Sequence, residues 1–388
     1  MSKVRNTSPS GPDEIRPGRL AQIRDAEIEA AWSAAGPGMD SLSGTVTVVI
    51  NDVTRAPVSG ALLKPVAGML EGRCRVLVAT GTHRKVTEAE KDALLCGLLR
   101  DEPWRCTEAG EGWPAGTTSF GTDVVLDPWV CPGSSVLLVG SVEPHYFAGF
   151  TGGRKSILPG CAAEKTIVQN HYLACLPGSA PAALEGNPVS EDMLEAAGFV
   201  LSTSRIVCAS CAVQGGRIVQ FSVGEMRPAF GKSVEASRAA CCLSLDRRYR
   251  SVVARPGAPL DQNLYQAMKA LYNCEDAVED GGTLLLDCHC AEGLGAAHME
   301  SSFQHALDPR WTCPTRGEYS LGDHSTARLV RIRKRIRLAL HSLLDEDLVR
   351  RMGFECVENV DETVASDRAD SIVIPDAGTV VAVACRDR

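Results

Sequence analysis

The sequence predicts an α/β protein of two domains, each built on a mostly parallel sheet, and three observations carry that prediction. Short β-rich runs end abruptly in polar or glycine-rich turns, as strands do at the carboxyl edge of a parallel sheet. Helical stretches stand between those runs. The alternation begins again after Arg250, and 388 residues are long for one core. The expected division is a disordered tail over residues 1–12, rich in Ser, Pro and Gly, an amino-terminal α/β domain over 13–248, and a carboxyl-terminal α/β domain over 249–388. The active site is expected in a cleft between the domains, with closure around the substrate.

Taken in order, Thr45-Val-Thr-Val-Val-Ile50 leads into Asn51-Asp-Val-Thr-Arg55, and Arg75-Val-Leu-Val-Ala-Thr80 leads into Gly81-Thr-His-Arg84. Thr87-Glu-Ala-Glu90 has capping-box spacing and opens a helix expected to run through Leu99, which leaves His83 in the preceding loop. Ser135-Val-Leu-Leu-Val-Gly140 reads as a buried strand, and the run Glu143–Gly160 behind it crowds together His145, a glycine turn and Lys155. Carboxyl ends of parallel strands lie along one edge, where open α/β sheets bind ligands, so the three ends are expected to share a site. His171, within Lys165–Tyr172, falls on a helix after the glycine turn, and Arg205–Phe221 reads as a hairpin around Gly215-Gly216. The second domain then runs through a strand at Ser251–Ala254, a helix from Asp261 through Tyr272, a strand at Gly282–Asp287 and a polar loop at Cys288–Gly295. Arg337–His341, Asp345–Met352 and Ser371–Pro375 continue the alternation.

A net charge of −8 and a pI near 5.6 argue against a nucleic-acid binder. The basic run Arg328–Arg337 lacks interleaved aromatics and reads as a structural helix face leading into a strand, or as a contact within a homo-oligomer. No apolar run approaches membrane-spanning length and no secretory signal is evident, so a cytoplasmic protein is expected. Sixteen cysteines raise the question of zinc, through Cys208-Ala-Ser-Cys211 and Cys288-His-Cys290. Neither has a partner pair at finger spacing, and Cys74, Cys96 and Cys385 sit in apolar segments, so buried reduced thiols are expected rather than zinc or disulfides.

Chemistry concentrates in Thr151-Gly152-Gly153-Arg154-Lys155, where backbone N–H groups and two cations could cradle a phosphate or carboxylate. Taken singly, each residue has an ordinary reading. Strand-end histidines are commonly structural, a lone lysine is a solvated charge, and Asp52 can cap its turn and pair with Arg55. Tyr265 and Lys269 share a face by their spacing on any surface helix. The combination of His83, His145, Lys155 and His171 is what makes a constellation.

That combination resembles the lactate racemase family. The resemblance rests on Asp52-x-Thr-Arg55, Gly81-Thr-His-Arg84, His145 with Lys155 in Thr-Gly-Gly-Arg-Lys, and His171, over most of residues 45–200. Glu185-Gly-Asn-Pro188 and Tyr265-Gln266-x-x-Lys269 add to it. It implies a nickel-pincer nucleotide, a pyridinium-derived mononucleotide carrying nickel, linked to Lys155 through a thioamide; a noncovalent phosphate grip by Lys155 stays open. His171 would complete nickel coordination and His83 with His145 would form the acid/base pair. Arg55 and Lys269 would hold the substrate carboxylate, with Tyr265, Gln266, Asp52 and the Thr151–Arg154 turn around the cofactor. The implied partners are a 2-hydroxy acid and the enzymes that build the cofactor and insert its nickel. One departure stands out: the family motif is commonly followed directly by proline, whereas here Ala56 precedes Pro57, so the Arg55 loop is expected to differ in shape.

The chemistry is consistent with those roles. Inverting a carbon that bears hydroxyl and carboxylate as a carbanion is unfavourable beside an ionised carboxylate, whereas a hydride acceptor avoids the carbanion. The protein then needs a carboxylate anchor and a base for the hydroxyl proton on each face, and imidazole, with a pKa of about 6.5, suits both. One histidine among thio-donors suits nickel. The implied activity is racemisation or epimerisation of a 2-hydroxy acid. Dehydrogenation or elimination with the same cofactor, and noncatalytic binding of the nucleotide, are the alternatives.

Overall fold

The computed structural model describes residues 3–6, 13–108, 110, 112–296, 299–361 and 368–384. Cys385 and residues 1, 2 and 7–12 of the expected tail lie outside them. The chain divides into two units, one of residues 19–240 and one of residues 1–18 with 241–388.

In the unit 19–240, six strands pair in the order Arg217–Gly224, Arg205–Gln214, Ser135–Val142, Val46–Asn51, Cys74–Ala79, Trp104–Cys106. All pairs are parallel except the hairpin Arg205–Gln214 with Arg217–Gly224. Its turn is Gly215-Gly216, with φ of 56° and 74°, the left-handed pair a tight two-residue hairpin needs. The central strands are apolar because both faces are covered. Val48 and Ile50 pack with Trp32, Leu62 and Leu63, whereas Val49 packs with Ile157, Ile167 and Met193. Alternate side chains therefore feed two cores, and each fully buried aliphatic side chain contributes about 1.5–3 kcal/mol.

The same alternation settles the Cys208/Cys211 question. Three residues apart on one strand, they enter opposite cores, so they cannot share a metal. Burial pushes both thiols up, Cys208 to about 12. Cys96 departs from expectation, being exposed. The capping box at Thr87 forms as predicted, with Thr87 Oγ1 accepting from the Glu90 amide, but the helix it opens spans Glu88–Leu94. The backbone turns left-handed at Cys96, Gly97 and Leu99, which ends the helix short of Leu99.

The other unit holds a seven-stranded sheet in the order Lys3–Asn6, Asp13–Pro17, Ser371–Ile374, Tyr249–Ala254, Val278–Asp287, Arg337–His341, Glu355–Cys356. Only the first pair is antiparallel. Lys3–Asn6 is thus a strand rather than part of a disordered tail, and the chain start belongs with the carboxyl-terminal half because Asp13–Pro17 pairs in parallel with Ser371–Ile374. The division at 240/241 instead of 248/249 has a similar cause: Cys242–Leu245 pairs with Val381–Ala384. The helix Leu264–Cys274 starts at Asn263, whose side chain accepts from the Gln266 amide, and carries Tyr265, Gln266 and Lys269. Asp323–Arg335 is the basic helix, leading into the strand Arg337–His341.

Candidate active site

Three adjacent strands of the unit 19–240 deliver the candidate residues. Val46–Asn51 lies between Cys74–Ala79 and Ser135–Val142, with Asn51 opposite Ala79 and Ile50 opposite Val139, so their carboxyl ends are neighbours. Directly after Asn51, Asp52 is 4% exposed and organises the turn. Its Oδ1 accepts from the Thr54 amide at 3.0 Å and the Thr54 hydroxyl at 2.6 Å. Its Oδ2 lies 2.6 Å from Nδ1 of His83, which the next strand's loop supplies. Burial alone would raise the Asp52 pKa, but the hydrogen bonds from His83 and Thr54 and the imidazole charge outweigh it and bring the carboxyl down to about 2. A carboxylate only accepts, so His83 Nδ1 carries a proton and the lone pair of the neutral ring sits on Nε2. Arg55 does not pair with Asp52; its guanidinium donates to the Thr54 carbonyl at 3.3 Å.

The third strand end builds a short hairpin, Pro144–His145 against Gly149–Phe150. Thr151 closes it: its hydroxyl donates to the Ser141 carbonyl at 3.1 Å and accepts the Glu143 amide at 2.9 Å, and its amide donates to the Glu143 carbonyl at 2.8 Å. Within the hairpin the Ala148 amide donates to His145 Nδ1 at 3.3 Å, which puts the lone pair on Nδ1 and the proton of a neutral ring on Nε2. The two candidate acid/base imidazoles therefore have opposite tautomers.

Gly152, at φ 75°, must lack a side chain, because a Cβ would stand 2.8 Å from the Ser141 carbonyl oxygen. Beyond it the turn differs from an open anion cradle. The Lys155 and Ser156 amides donate to the Gly152 and Gly153 carbonyls at 3.0 and 3.1 Å. Arg154 points inward, 2% exposed, donating to the Ala148 carbonyl at 2.8 Å and the Ser190 hydroxyl at 3.1 Å, with Phe230 beneath it. Burial lowers its pKa to about 10. Arg154 is thus a clamp between the His145 hairpin and the helix Pro188–Leu201, although its Nη1 is buried without a hydrogen-bond partner among the described residues.

Lys155 is partly exposed, yet its amine is desolvated. Burial first, then the charges of Arg55 and Arg154, push its pKa well below the usual lysine range against the pull of Asp52. That electrostatic contact places Lys155 with the Asp52 turn. His171 lies in the last turn of the helix Glu164–Tyr172. Its Nδ1 lies 3.2 Å from Asn170 Oδ1, and Asn170 is oriented by donating to Asp192 at 2.7 Å, so His171 has its lone pair on Nε2, the form a metal ligand takes. Phe147 stands between the histidines, 4.6 Å from the His145 ring and 5.0 Å from the His171 ring. The structure thus links His83 to Asp52, and His145 to His171 through Phe147. Tyr265, Gln266 and Lys269 belong to the other unit.

Sequence reasoning missed Glu143, Phe147 and Asn170. Glu143 accepts from the Ser141 hydroxyl and, at 3.3 Å, from the Ala56 amide. The Ala56 departure therefore has a consequence: a proline there has no N–H, whereas this chain ties its Arg55 turn to the His145 hairpin. The signal for Glu143 was its position just past a strand end, masked by the histidine that follows.

Comparison with known proteins sets this geometry in a family. The family model for the lactate racemase N-terminal domain matches residues 37–181, and that for the lactate racemase C-terminal domain matches residues 250–384. The chain is 30% identical over 247 residues to lactate racemase of Thermoanaerobacterium thermosaccharolyticum, covering 61% of this chain and 56% of that protein. It is 26% identical over 373 residues to lactate racemase of Lactiplantibacillus plantarum, covering 87% and 84% respectively. In fold it is similar to the lactate racemase apoprotein from T. thermosaccharolyticum, with a TM-score of 0.79 at 22% identity over 100% of both chains. It is also similar to a structural-genomics protein from Thermotoga maritima, with a TM-score of 0.66 at 15% identity over 95% of this chain and 100% of the other. With the two domain models matching most of its length, the chain belongs to the lactate racemase family.

Proposed function

We propose that this protein is a racemase or epimerase that inverts C2 of a 2-hydroxy acid with a nickel-pincer nucleotide as cofactor. The observation that carries the reading is the pair of imidazoles with opposite tautomers at the two strand ends that flank Val46–Asn51, His83 backed by Asp52 and His145 backed by the Ala148 amide. Among the described residues no three His, Cys, Asp or Glu side chains gather as a metal-ligand set. The donors present do suit a group that brings most of its own ligands: one imidazole with its lone pair on Nε2, a lysine held toward its neutral form, and a buried guanidinium nitrogen lacking a partner. His171 would ligate the nickel, Lys155 would tether the nucleotide, and the Thr151–Arg154 turn would lie beside it. When bound, the group supplies a reversible hydride acceptor.

The chain's own residues handle the oxygen-bound proton and the carboxylate. His83 Nε2 takes the hydroxyl proton of one enantiomer, and the Asp52 carboxylate, ionised down to about pH 2, stabilises the imidazolium that results. His145 returns a proton from Nε2 to the oxygen on the opposite face only as the imidazolium, with Nδ1 released from the Ala148 amide and protonated, so that a neutral ring remains. For the other enantiomer their roles exchange, and His145 must then release the Ala148 amide to present a lone pair on Nε2. Arg55 anchors the substrate carboxylate, and Lys269, Tyr265 and Gln266 remain in the proposal on their shared motif.

The test is co-production with cofactor-building enzymes and nickel, followed by bound-metal analysis, intact mass and a screen of 2-hydroxy acids for loss of optical activity. A covalent adduct, bound nickel and racemisation of at least one acid are expected. A fully loaded protein that racemises none of a panel spanning aliphatic, dicarboxylic, aromatic and sugar acids would contradict the proposal.

A further inference from the structure

In the carboxyl-terminal unit the strand Val278–Asp287 runs out into Cys288-His289-Cys290, where both cysteines are buried, 5% and 2% exposed, and His289 is exposed. Their sulfurs stand 3.3 Å apart. An approach of about 1.3 Å would reach the S–S bond length of about 2.05 Å. Cα atoms two residues apart lie within about 7 Å, which overlaps the span of about 4.4–6.8 Å that disulfides bridge. Cys290 holds a φ of 52°, a conformation that non-glycine residues adopt rarely. No third metal-ligating side chain joins the pair among the described residues, so the arrangement fits sulfur–sulfur chemistry better than zinc.

The loop that holds the pair also holds a helix start. The Cys290 and Glu292 amides each donate at 2.8 Å, to the Asp261 and Gln262 carbonyls respectively. In return the Leu264 and Tyr265 amides donate to the Gly293 and Leu294 carbonyls at 3.1 and 3.0 Å. Those four bonds fix the first turn of the helix Leu264–Cys274, which presents Tyr265, Gln266 and Lys269. On its other side the loop hangs from the strand Arg337–His341, with the Cys288 amide donating to the His341 carbonyl at 3.0 Å. A loop pinned on both sides cannot contract by an ångström without straining these bonds.

We propose that Cys288 and Cys290 form a reversible disulfide within this loop, and that its formation loosens the start of the helix carrying Tyr265, Gln266 and Lys269. The effect on substrate rests on the function proposed above; the disulfide and the loosening do not. The oxidant is a peroxide, small enough to reach a buried thiol. The Cys288 thiol donates to Cys290 and holds it below the ordinary thiol range, opposed by burial and Asp261, while Cys288 itself is raised. Cys290 is therefore the attacking thiolate. It attacks a peroxide oxygen, the O–O bond breaks, hydroxide leaves, and a sulfenic acid forms. The Cys288 sulfur then attacks the Cys290 sulfur; the S–S bond forms, the S–O bond breaks, and the departing hydroxide takes the Cys288 proton as water. The pair loses two electrons and two protons, and the peroxide becomes two waters. A dithiol reverses the exchange. The reduced thiols expected from cysteine usage remain the resting state.

The experiment treats the full-length protein with hydrogen peroxide or with dithiothreitol, alkylates free thiols, and maps the peptide between Lys269 and Arg310, which contains Cys274, Cys288 and Cys290. The peroxide sample is expected to show that peptide lighter by about 2 Da, for two lost hydrogens, before counting labels, with Cys274 alone alkylated. Amide hydrogen exchange at Leu264, Tyr265, Cys290 and Glu292 is expected to be at least about tenfold faster than in the reduced sample, and dithiothreitol should restore it. Cys290→Ser should exchange alike in both conditions. Failure of the two-hydrogen loss, or a disulfide with exchange unchanged at those four amides, overturns the proposal. Neither readout involves the cofactor or racemase activity, so the function proposed above stands or falls separately.

Discussion

Both sheets end in an aspartate–histidine pair, and their surroundings differ. In the amino-terminal unit Asp52 lies 2.6 Å from His83 Nδ1; in the carboxyl-terminal unit Asp287 lies 2.7 Å from His341 Nδ1. The remaining Asp52 oxygen is satisfied by the neutral groups of Thr54, whereas the other Asp287 oxygen accepts from Arg255 at 2.8 Å. The Asp287 charge is therefore already paired with a guanidinium, whereas besides His83 the Asp52 carboxylate meets only the neutral amide and hydroxyl of Thr54. Asp52 also has Lys155 within electrostatic reach, and its turn is tied through the Ala56 amide to Glu143, just before the hairpin that carries His145. A carboxylate–imidazole pair at a strand end is thus a recurring product of parallel-sheet geometry, and its neighbours decide whether it can do acid/base chemistry.

Removing each imidazole in the cofactor-loaded protein separates the two pairs. His83→Ala is expected to lower kcat by about 10²–10⁴-fold while bound nickel stays constant, as loss of a general base does. His341→Ala should leave kcat within about twofold, because no proton transfer of the proposed reaction passes through that ring. Equal losses from both substitutions would erase the distinction. Lys155→Ala should abolish the covalent mass adduct, and Lys155→Arg should do the same, because a guanidinium keeps the charge without a nucleophilic amine. An adduct surviving in either variant would remove Lys155 as the tether.

Asp52→Asn probes the amino-terminal pair through pH. The folded-state pKa of Asp52 is depressed to about 2, so its contribution is fully present above the unfolded value of about 3.9 and is lost as pH falls through about 2. The shift corresponds to about 2–3 kcal/mol, so denaturant melts should show the variant less stable by that order at pH 6, with the gap closing between about pH 4 and pH 2. A gap unchanged at pH 2 would contradict the assignment. The smallest effect is expected from Ala56→Pro, which deletes the donor to Glu143: about 1 kcal/mol or less in stability, with a change of a few fold in KM rather than kcat.

Much of this was legible in the sequence because it is local. Strand ends followed by ionisable residues, the Thr87 capping box and the Gly215-Gly216 hairpin all depend on neighbours along the chain. The union of Asp13–Pro17 with Ser371–Ile374 was not, since strand pairing over such a separation leaves no local trace. Arg154 misleads for a related reason: composition gives its charge, and only packing against Ala148, Ser190 and Phe230 gives its direction. Asp52 reads as a turn cap, which it is; its second oxygen on His83 requires the neighbouring strand to be in place.

In the proposed reaction His83 and His145 move only the oxygen-bound proton, so the hydrogen at C2 never passes through an imidazole. A 2-hydroxy acid substrate carrying deuterium at C2, racemised in ordinary water by the loaded protein, distinguishes this from proton abstraction at carbon. Both enantiomers should retain the deuterium as optical activity disappears. Washout of the label in step with racemisation would mean that an imidazole abstracts the C2 hydrogen as a proton, and hydride transfer would then be wrong.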